Sequence, residues 1–268
     1  DQVGDDWKTS SGRDILWRSR ATKTAYYLGR IISNTDLSVA ELLRYFRACD
    51  FLDPVTVRPV LKNLIVSIEG EGDRRMLVYN ESIDRLSGFQ LEQNPQSQLI
   101  VNRMLEAAKG SSRFVQLVRR FGLVEHYSQI LSLAQQHSAA QLGVDAMKAL
   151  LDAGELELVR DGLHSDDPVA AQATAKVLEL SGDARTVDLL LDFITEENQP
   201  VEVQRIATRA ICRNQEGATK VLDLVKSGGL HLNLRDAAAA AIQVSPMEEI
   251  RHRGHEIFPF PISKNQQP

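Results

Sequence analysis

Apolar residues recur every three or four positions along most of the chain, the spacing that places them on one face of an α-helix. The longest such stripe comprises Val57, Val60, Leu61, Leu64, Ile65 and Ile68. Shorter stripes follow within 114–121 and 127–134. No stretch alternates apolar and polar residues with the β-branched enrichment of a half-buried strand. The pattern therefore predicts an all-α protein.

Residues that start and stop helices divide these stripes into short elements. Ser38 and Glu41 have the spacing of a capping box, in which the two residues satisfy each other's backbone N–H groups. Four prolines stand at expected first helical positions, namely Pro54, Pro95, Pro168 and Pro200. We predict short helices joined by brief links, with the pairs 37–49/54–68 and 112–121/125–137 clearest.

The second half of the chain contains an internal repeat. Aligning Gln141, Gln172, Gln204 and Arg235 gives spacings of 31, 32 and 31 residues. Small or apolar residues fall three positions later in each unit, at Val144, Ala175, Ala207 and Ala238, and leucines 32 apart follow at Leu158, Leu190 and Leu222. Each unit is thus predicted to be an alanine-rich helix, a turn and a leucine-rich helix.

Such units imply a HEAT-like α-α superhelix, a right-handed solenoid of helix pairs in a single elongated domain. One helix pair cannot bury its own apolar face, so neighbouring pairs must stack. The start of the unit at 167–172 looks like that of a HEAT repeat, and the Trp/Gly/Tyr signature of TPR repeats is missing. We divide the chain into an N-terminal extension packing on the first helices (1–36), irregular helical repeats (37–134), regular repeats (135–244) and a Pro-rich, extended C-terminal linker (245–268).

The charge balance does not favour a polyanionic partner. The 268 residues include 31 basic and 36 acidic side chains, a formal net charge of -5. Residues 1–134 carry a net +2 and residues 135–268 a net -7. Neither nucleic acid nor an anionic membrane is therefore the expected partner. No apolar run approaches the ~20 residues of a membrane helix, so we expect no membrane insertion.

Motifs of catalysis and cofactor binding are missing from the sequence. Gly70-Glu71-Gly72 begins like a dinucleotide-binding fingerprint but lacks the third glycine and a preceding strand. Neither Gly-x-Ser-x-Gly nor His-Glu-x-x-His occurs. We therefore expect no catalytic residue and no cofactor within this chain.

Two histidines and two cysteines are the remaining candidates for chemistry. His252 and His255 stand three apart and could face one metal ion on a helix, but two imidazoles alone do not make a site. We favour a solvent-exposed helix end for them. Cys49 and Cys212 lie in apolar surroundings, which predicts buried structural thiols with no mutual disulfide.

Two groups of residues are candidates for partner binding. Arg205, Arg209 and Arg213 form a basic stripe at intervals of four residues, which could contact DNA phosphates or could be ion-paired with nearby glutamates. In the N-terminal segment, Trp7, Trp17, Arg18 and Arg20 could contact a partner or could pack this segment onto the first helices.

The N-terminal third resembles a known family. One segment, 12–28, begins Gly-Arg-Asp-Ile-Leu-Trp-Arg-Ser-Arg-Ala-Thr-Lys-Thr and ends Tyr26-Tyr27-Leu28. The other, 44–51, reads Arg-Tyr-Phe-Arg-Ala-Cys-Asp-Phe. Both are similar to the HEAT-repeat region of planctomycete-type large heme-binding proteins. These are also labelled cytochrome c domain proteins or membrane-bound dehydrogenases. Their usual order is a β-propeller, a HEAT region and a cytochrome c domain, and the tail Ile257-Phe258-Pro259-Phe260-Pro261 is similar to the link before the cytochrome.

The resemblance implies a non-catalytic scaffold from a larger periplasmic or secreted protein. The polar ends of the chain, without an initiator Met, also lead us to expect a piece of a longer protein. Heme c would be attached outside this chain, which has no Cys-x-x-Cys-His, and the partners would be the neighbouring propeller and cytochrome domains or another protein. A HEAT-like nucleic-acid-binding or DNA-repair module is the alternative, and a bilin-lyase-like role rests on fold analogy alone.

Overall fold

The computed structural model describes residues 6–34, 36–68, 72–86 and 95–258. All regular secondary structure in these ranges is helical, which confirms the predicted all-α class. The α-helices are α1 (Ser10–Arg18), α2 (Thr24–Ser33), α3 (Val39–Cys49), α4 (Pro54–Ser67), α5 (Asp73–Arg85), α6 (Pro95–Ala108), α7 (Ser112–Phe121), α8 (Tyr127–Gln136), α9 (Gln141–Ala153), α10 (Leu156–Leu163), α11 (Pro168–Ser181), α12 (Val187–Thr195), α13 (Val201–Ile211), α14 (Gln215–Ser227), α15 (Arg235–Gln243) and α16 (Glu248–Ile257). Short 3-10 turns occupy Asp6–Lys8, Val124–His126, Ala184–Thr186 and Leu232–Leu234.

Helix starts follow the local chemistry of the sequence. Ser38 and Glu41 form the predicted capping box at the start of α3. Pro54, Pro95 and Pro168 are the first residues of their helices. Pro200 is the N-cap of α13 and so stands one position earlier than predicted. Proline suits these positions because its missing N–H would have no intrahelical partner there.

The chain divides into two compact units, residues 1–109 and residues 110–268. In the first unit α2 packs against α1, α3 and α4, and α5 packs against α3, α4 and α6. The two helices at 10–18 and 24–33 therefore belong to the packed core of this unit. Leu28, Ile31 and Ile32 of α2 are fully buried within it.

In the second unit each odd-numbered helix packs against the next odd-numbered helix, from α7 through α9, α11 and α13 to α15. The small residues that define the repeat lie in this series, and Ala175, Ala207 and Ala238 are completely buried. Their short side chains let neighbouring helix backbones approach closely. Among the leucines of the second helices, Leu190 and Leu222 are buried, whereas Leu158 is half-buried.

Polar contacts also join residues about one repeat apart. Lys220 pairs with Asp188, 32 positions away, at 2.8 Å. Arg253 donates to Asp223, 30 positions away, at 2.8 Å. The imidazole of His164 contacts the Glu196 carboxylate, 32 positions away, at 2.7 Å. These side chains are partly or largely exposed, so solvent screening leaves each pair with little effect on stability.

Three helices begin directly against the backbone of the preceding turn, and each has glycine at its third position. In α9, a Cβ built on Gly143 would lie 2.2 Å from the carbonyl oxygen of His137. Gly12 of α1 and Gly217 of α14 face the carbonyls of Asp6 and Ile211 in the same way. In all three cases this carbonyl belongs to the residue six positions earlier, and it accepts the N–H three positions after itself.

The expectation of an extended tail from residue 245 is wrong for residues 248–257, which form α16. Ile250 is buried, and α16 packs against α14 and α15. Gly254 permits this approach, since a Cβ there would lie 2.3 Å from Cγ2 of Ile242. Tertiary packing thus maintains a helix between Pro246 and the next proline, and residues 259–268 of the predicted linker lie outside the described ranges.

Candidate functional site

Helix α3 has two stripes, one for the core and one for a surface groove. Its core stripe consists of the buried residues Leu42, Tyr45, Phe46 and Cys49, and Ala48 is buried at the border between the two stripes. The second stripe continues beyond the helix end at intervals of three and four residues and comprises Ala40, Leu43, Arg44, Arg47, Ala48 and Phe51. The second stripe combines small apolar residues with arginines, which is unusual for a face that serves only packing.

The end of α1 and the link after it lie along this second stripe. Trp17, Arg18 and Arg20 join the six residues of the second stripe in lining a groove of about 420 Å³. We call it the arginine–aromatic groove. It places three of the residues that the sequence suggested for partner binding beside two arginines and a phenylalanine that were not among those candidates.

Arg44 connects the two sides of the groove. Its guanidinium carbon lies 4.4 Å from the ring centroid of Trp17, within cation–π range. Its Nη2 donates to Oδ1 of Asp14 on α1 at 2.6 Å. Both charged side chains are about half exposed, so this ion pair contributes at most about 1 kcal/mol. Its main effect is to hold the indole and the guanidinium in one arrangement.

Arg20 is held by a second ring and by the backbone. Its guanidinium carbon lies 5.0 Å from the ring centroid of Phe51. Its Nη1 donates to the carbonyl oxygens of Trp17 at 3.3 Å and Ser19 at 2.9 Å. Phe51 itself is 67% exposed, so the far end of the groove presents an open aromatic ring next to a positioned cation.

Arg18 and Arg47 complete the charge of the groove. Both are exposed, and neither forms an ion pair with any residue in the described ranges. Arg18 instead lies 5.7 Å from the ring of Trp17. Of the four groove arginines, only Arg44 is therefore neutralised by a carboxylate of the part of the chain that the structure describes. Such an arrangement suits a ligand that carries negative charge beside an apolar or aromatic group.

Trp7, the other predicted partner-binding tryptophan, lies elsewhere. It is only 7% exposed, and its ring contacts Arg30 of α2 at 5.0 Å. Nε of Arg13 donates to its carbonyl oxygen at 3.3 Å. This side chain packs the start of the chain onto α1 and α2, and does not line the arginine–aromatic groove.

The basic stripe on α13 is largely neutralised. Arg205 pairs with Glu202 at 2.6 Å, and Arg209 pairs with the buried carboxylate of Glu179 at 3.3 Å. Only Arg213 is exposed without an ion pair to a described residue. Phosphate binding by the stripe would require breaking two existing pairs, so the geometry favours the ion-paired interpretation over DNA contact.

The two histidines of α16 lie on an exposed helix face. The side chain of His252 is 79% exposed, and its Nδ1 lies 3.8 Å from Oε1 of Glu256. His255 is also exposed. Within the residues that the structure describes, no three His, Cys, Asp or Glu side chains are grouped so that they could hold a metal ion.

Both cysteines are buried free thiols, as predicted. Burial raises the pKa of Cys49 to about 12, and its Sγ lies 3.5 Å from the carbonyl oxygen of Tyr45. Burial likewise raises the pKa of Cys212 to about 12. Neither thiol is activated as a nucleophile, because the thiolate is the reactive form.

Comparison with known proteins does not identify a relative. No protein-family model matches the chain, and no curated protein is significantly similar to it in sequence. Among the helices in the described ranges, none is both long and apolar enough to cross a membrane. Function must therefore be inferred from the groove and from the packing of the helices.

Proposed function

We propose that this chain is a non-catalytic helical-repeat scaffold that binds protein domains, and that α7–α16 form a HEAT-like superhelix. The observation that supports the architecture is the recurrent contact of each odd-numbered helix with the next odd-numbered helix. Ion pairs between residues 30–33 positions apart add a second periodic feature. In repeat proteins of this kind, adjacent units supply each other's core and leave extended surfaces for partners.

The binding surface in this proposal is the arginine–aromatic groove. Arginine and the aromatic residues are enriched at the energetically important centres of protein interfaces. Here they lie on α1, on α3 and in the links that follow these helices, within one compact unit, and Phe51 and three of the arginines are open to solvent. The groove residues on the helices are presented without the ordering cost of a flexible loop.

We further propose that the chain is the HEAT region of a larger secreted or periplasmic heme-binding protein, between a β-propeller and a cytochrome c domain. The support is the resemblance carried by residues 12–28 and 44–51. These two segments contribute every lining residue of the groove except Ala40 and Leu43. The features that suggest the family and the features that suggest binding are thus the same residues.

The test begins with the complete gene. We expect it to encode a propeller before this region and a Cys-x-x-Cys-His domain after it. Each neighbouring domain should be expressed separately and titrated against this chain by isothermal calorimetry, with heat of binding expected for at least one. Absence of both domains from the gene would overturn the proposed parent protein. Turnover of a substrate by the purified chain alone would overturn the non-catalytic role.

A further inference from the structure

We propose that the arginine–aromatic groove binds an acidic peptide segment that carries an aromatic or aliphatic side chain between its carboxylates. This inference rests on the proposed scaffold function and specifies the chemistry of the partner. The groove residues include four arginines and no acid, and Asp14 is the carboxylate paired with one of them. The excess positive charge at the groove is complementary to two or three carboxylates.

The arginines are already positioned for such a ligand. Arg20 uses only Nη1 for its two backbone carbonyls, so Nε and Nη2 remain without a partner among the described residues. The ring of Phe51 supports the guanidinium at 5.0 Å. A guanidinium held beside a ring can still present its N–H groups to a carboxylate in the forked geometry that arginine favours.

The apolar part of the groove favours an aromatic or aliphatic side chain in the ligand. Trp17 and Phe51 stand with the smaller residues Leu43 and Ala48 between the arginines. Phe51 is 67% exposed, and its burial by an apolar side chain would be favourable. The volume of about 420 Å³ is suitable for one large side chain and the adjoining backbone. A ligand that carried charge alone would leave the apolar surface of the groove exposed to water.

Charge distribution favours a peptide over a nucleic acid. Residues 1–109, which form the unit that contains the groove, carry 15 basic and 15 acidic side chains. The basic cluster on α3 extends from Arg44 to Arg47, about 5 Å at 1.5 Å per helical residue. Nucleic-acid surfaces instead follow a phosphate backbone with a long basic track. A short local excess of arginine in a neutral unit suits a short acidic segment.

The experiment measures fluorescence anisotropy with the full chain and a fluorescein-labelled peptide of sequence Glu-Glu-Phe-Glu-Glu. The double variant Arg18→Gln/Arg47→Gln should weaken binding at least about tenfold, since hydrogen bonds to charged groups are lost. Phe51→Ala should also weaken it. Arg58→Gln is the control for the loss of one charge and is compared with Arg47→Gln alone, because Arg58 is an exposed arginine of the same unit outside the groove. Circular dichroism should show that all variants remain folded, since the changed side chains are exposed.

Three results would overturn the inference. In the first, Gln-Gln-Phe-Gln-Gln binds as tightly as the acidic peptide. In the second, Arg58→Gln weakens binding as much as the groove variants do. In the third, a fluorescein-labelled oligothymidine binds more tightly than the acidic peptide, and its binding depends on the same arginines. This result would assign the groove to nucleic acid. Failure here with intact binding of a neighbouring domain would leave the scaffold function standing, so the two proposals are tested separately.

Discussion

Gly143, the third residue of α9, offers a sharp test of how the second unit packs. A Cβ at this position would lie 2.2 Å from the carbonyl oxygen of His137 and 2.9 Å from that of Ala134. The His137 carbonyl also accepts the N–H of Ala140 at 2.8 Å, which closes the turn before the helix. The neighbouring atoms are therefore backbone atoms already held by a hydrogen bond. We predict that Gly143→Ala destabilises the protein.

The magnitude follows from two opposing effects. Replacing glycine by alanine within a helix ordinarily stabilises it by about 0.5–1 kcal/mol. Inserting a methyl group into a closely packed place costs about 1–3 kcal/mol, and the upper part of that range applies where the backbone must shift. The free energy of unfolding should therefore fall by about 1–2 kcal/mol.

The control is Gly162→Ala on α10. There the atoms nearest to the added Cβ are side-chain atoms of Thr174 and Leu131, at 3.1–3.3 Å. These contacts require shifts of only a few tenths of an ångström, so the loss of stability should be smaller than for Gly143→Ala. Urea unfolding should be followed by far-ultraviolet circular dichroism, because both tryptophans lie in residues 1–109 and do not report on α9. Equal stability of Gly143→Ala and the wild type would refute the proposed backbone contact.

Burial disfavours the charged imidazole of His164, yet hydrogen bonds to the carbonyl oxygen of Arg160 and to the Glu196 carboxylate outweigh this effect. The pKa of His164 is therefore raised. Its stabilising effect should thus be complete below about pH 6.5 and be lost as pH rises through the folded pKa; His164→Gln should remove this dependence from urea midpoints, and an unchanged dependence would contradict it. Cys49 and Cys212, with pKa values raised to about 12, should resist thiol reagents until denaturant is added, and fast labelling of the folded chain would argue against their burial. Arg74→Met should lower the free energy of unfolding by about 1–3 kcal/mol, because the Arg74 guanidinium donates to three carbonyl oxygens at and after the end of α2. An unchanged urea midpoint would show that those hydrogen bonds are dispensable.

The sequence predicted best what depends on near neighbours. The capping box of Ser38 and Glu41 and the prolines at 54, 95 and 168 involve residues within one helical turn, and the structure confirms them. The repeat also placed the small residues of the odd-numbered helices correctly in the core. These features follow from helical period and capping, which act locally.

Helix α16 shows where local signals are insufficient. Prolines at 246 and 259 suggested an extended tail, but the segment between them forms a helix. What stabilises it is contact with α14 and α15 through Ile250 and Gly254. Tertiary packing of this kind outweighs propensity in short helices, and it is not visible in the periodicity of ten residues.

Only one side of the groove could be predicted from the sequence, for a related reason. Trp17, Arg18 and Arg20 are adjacent in sequence, so their composition alone marked them as a candidate. Arg47 and Phe51 stand 27 or more residues further on and become neighbours only when α1 packs beside α3. The available signal was the second stripe of α3, in which arginines and an aromatic residue share the spacing of a helix face.

Some arginines are ion-paired within the fold and others are not, and this explains why net charge is a poor guide to the binding surface. In the second unit, Arg185 pairs with Asp152 of α9 and Arg209 pairs with Glu179 of α11, so these ion pairs join elements about one repeat apart. Their charge is balanced within the fold, despite the net -7 of residues 135–268. In the first unit, Arg18 and Arg47 are exposed and without carboxylate partners among the described residues. A neutral unit thus carries a local cationic site, and a partner attracted to it need not respond to the charge of the whole chain.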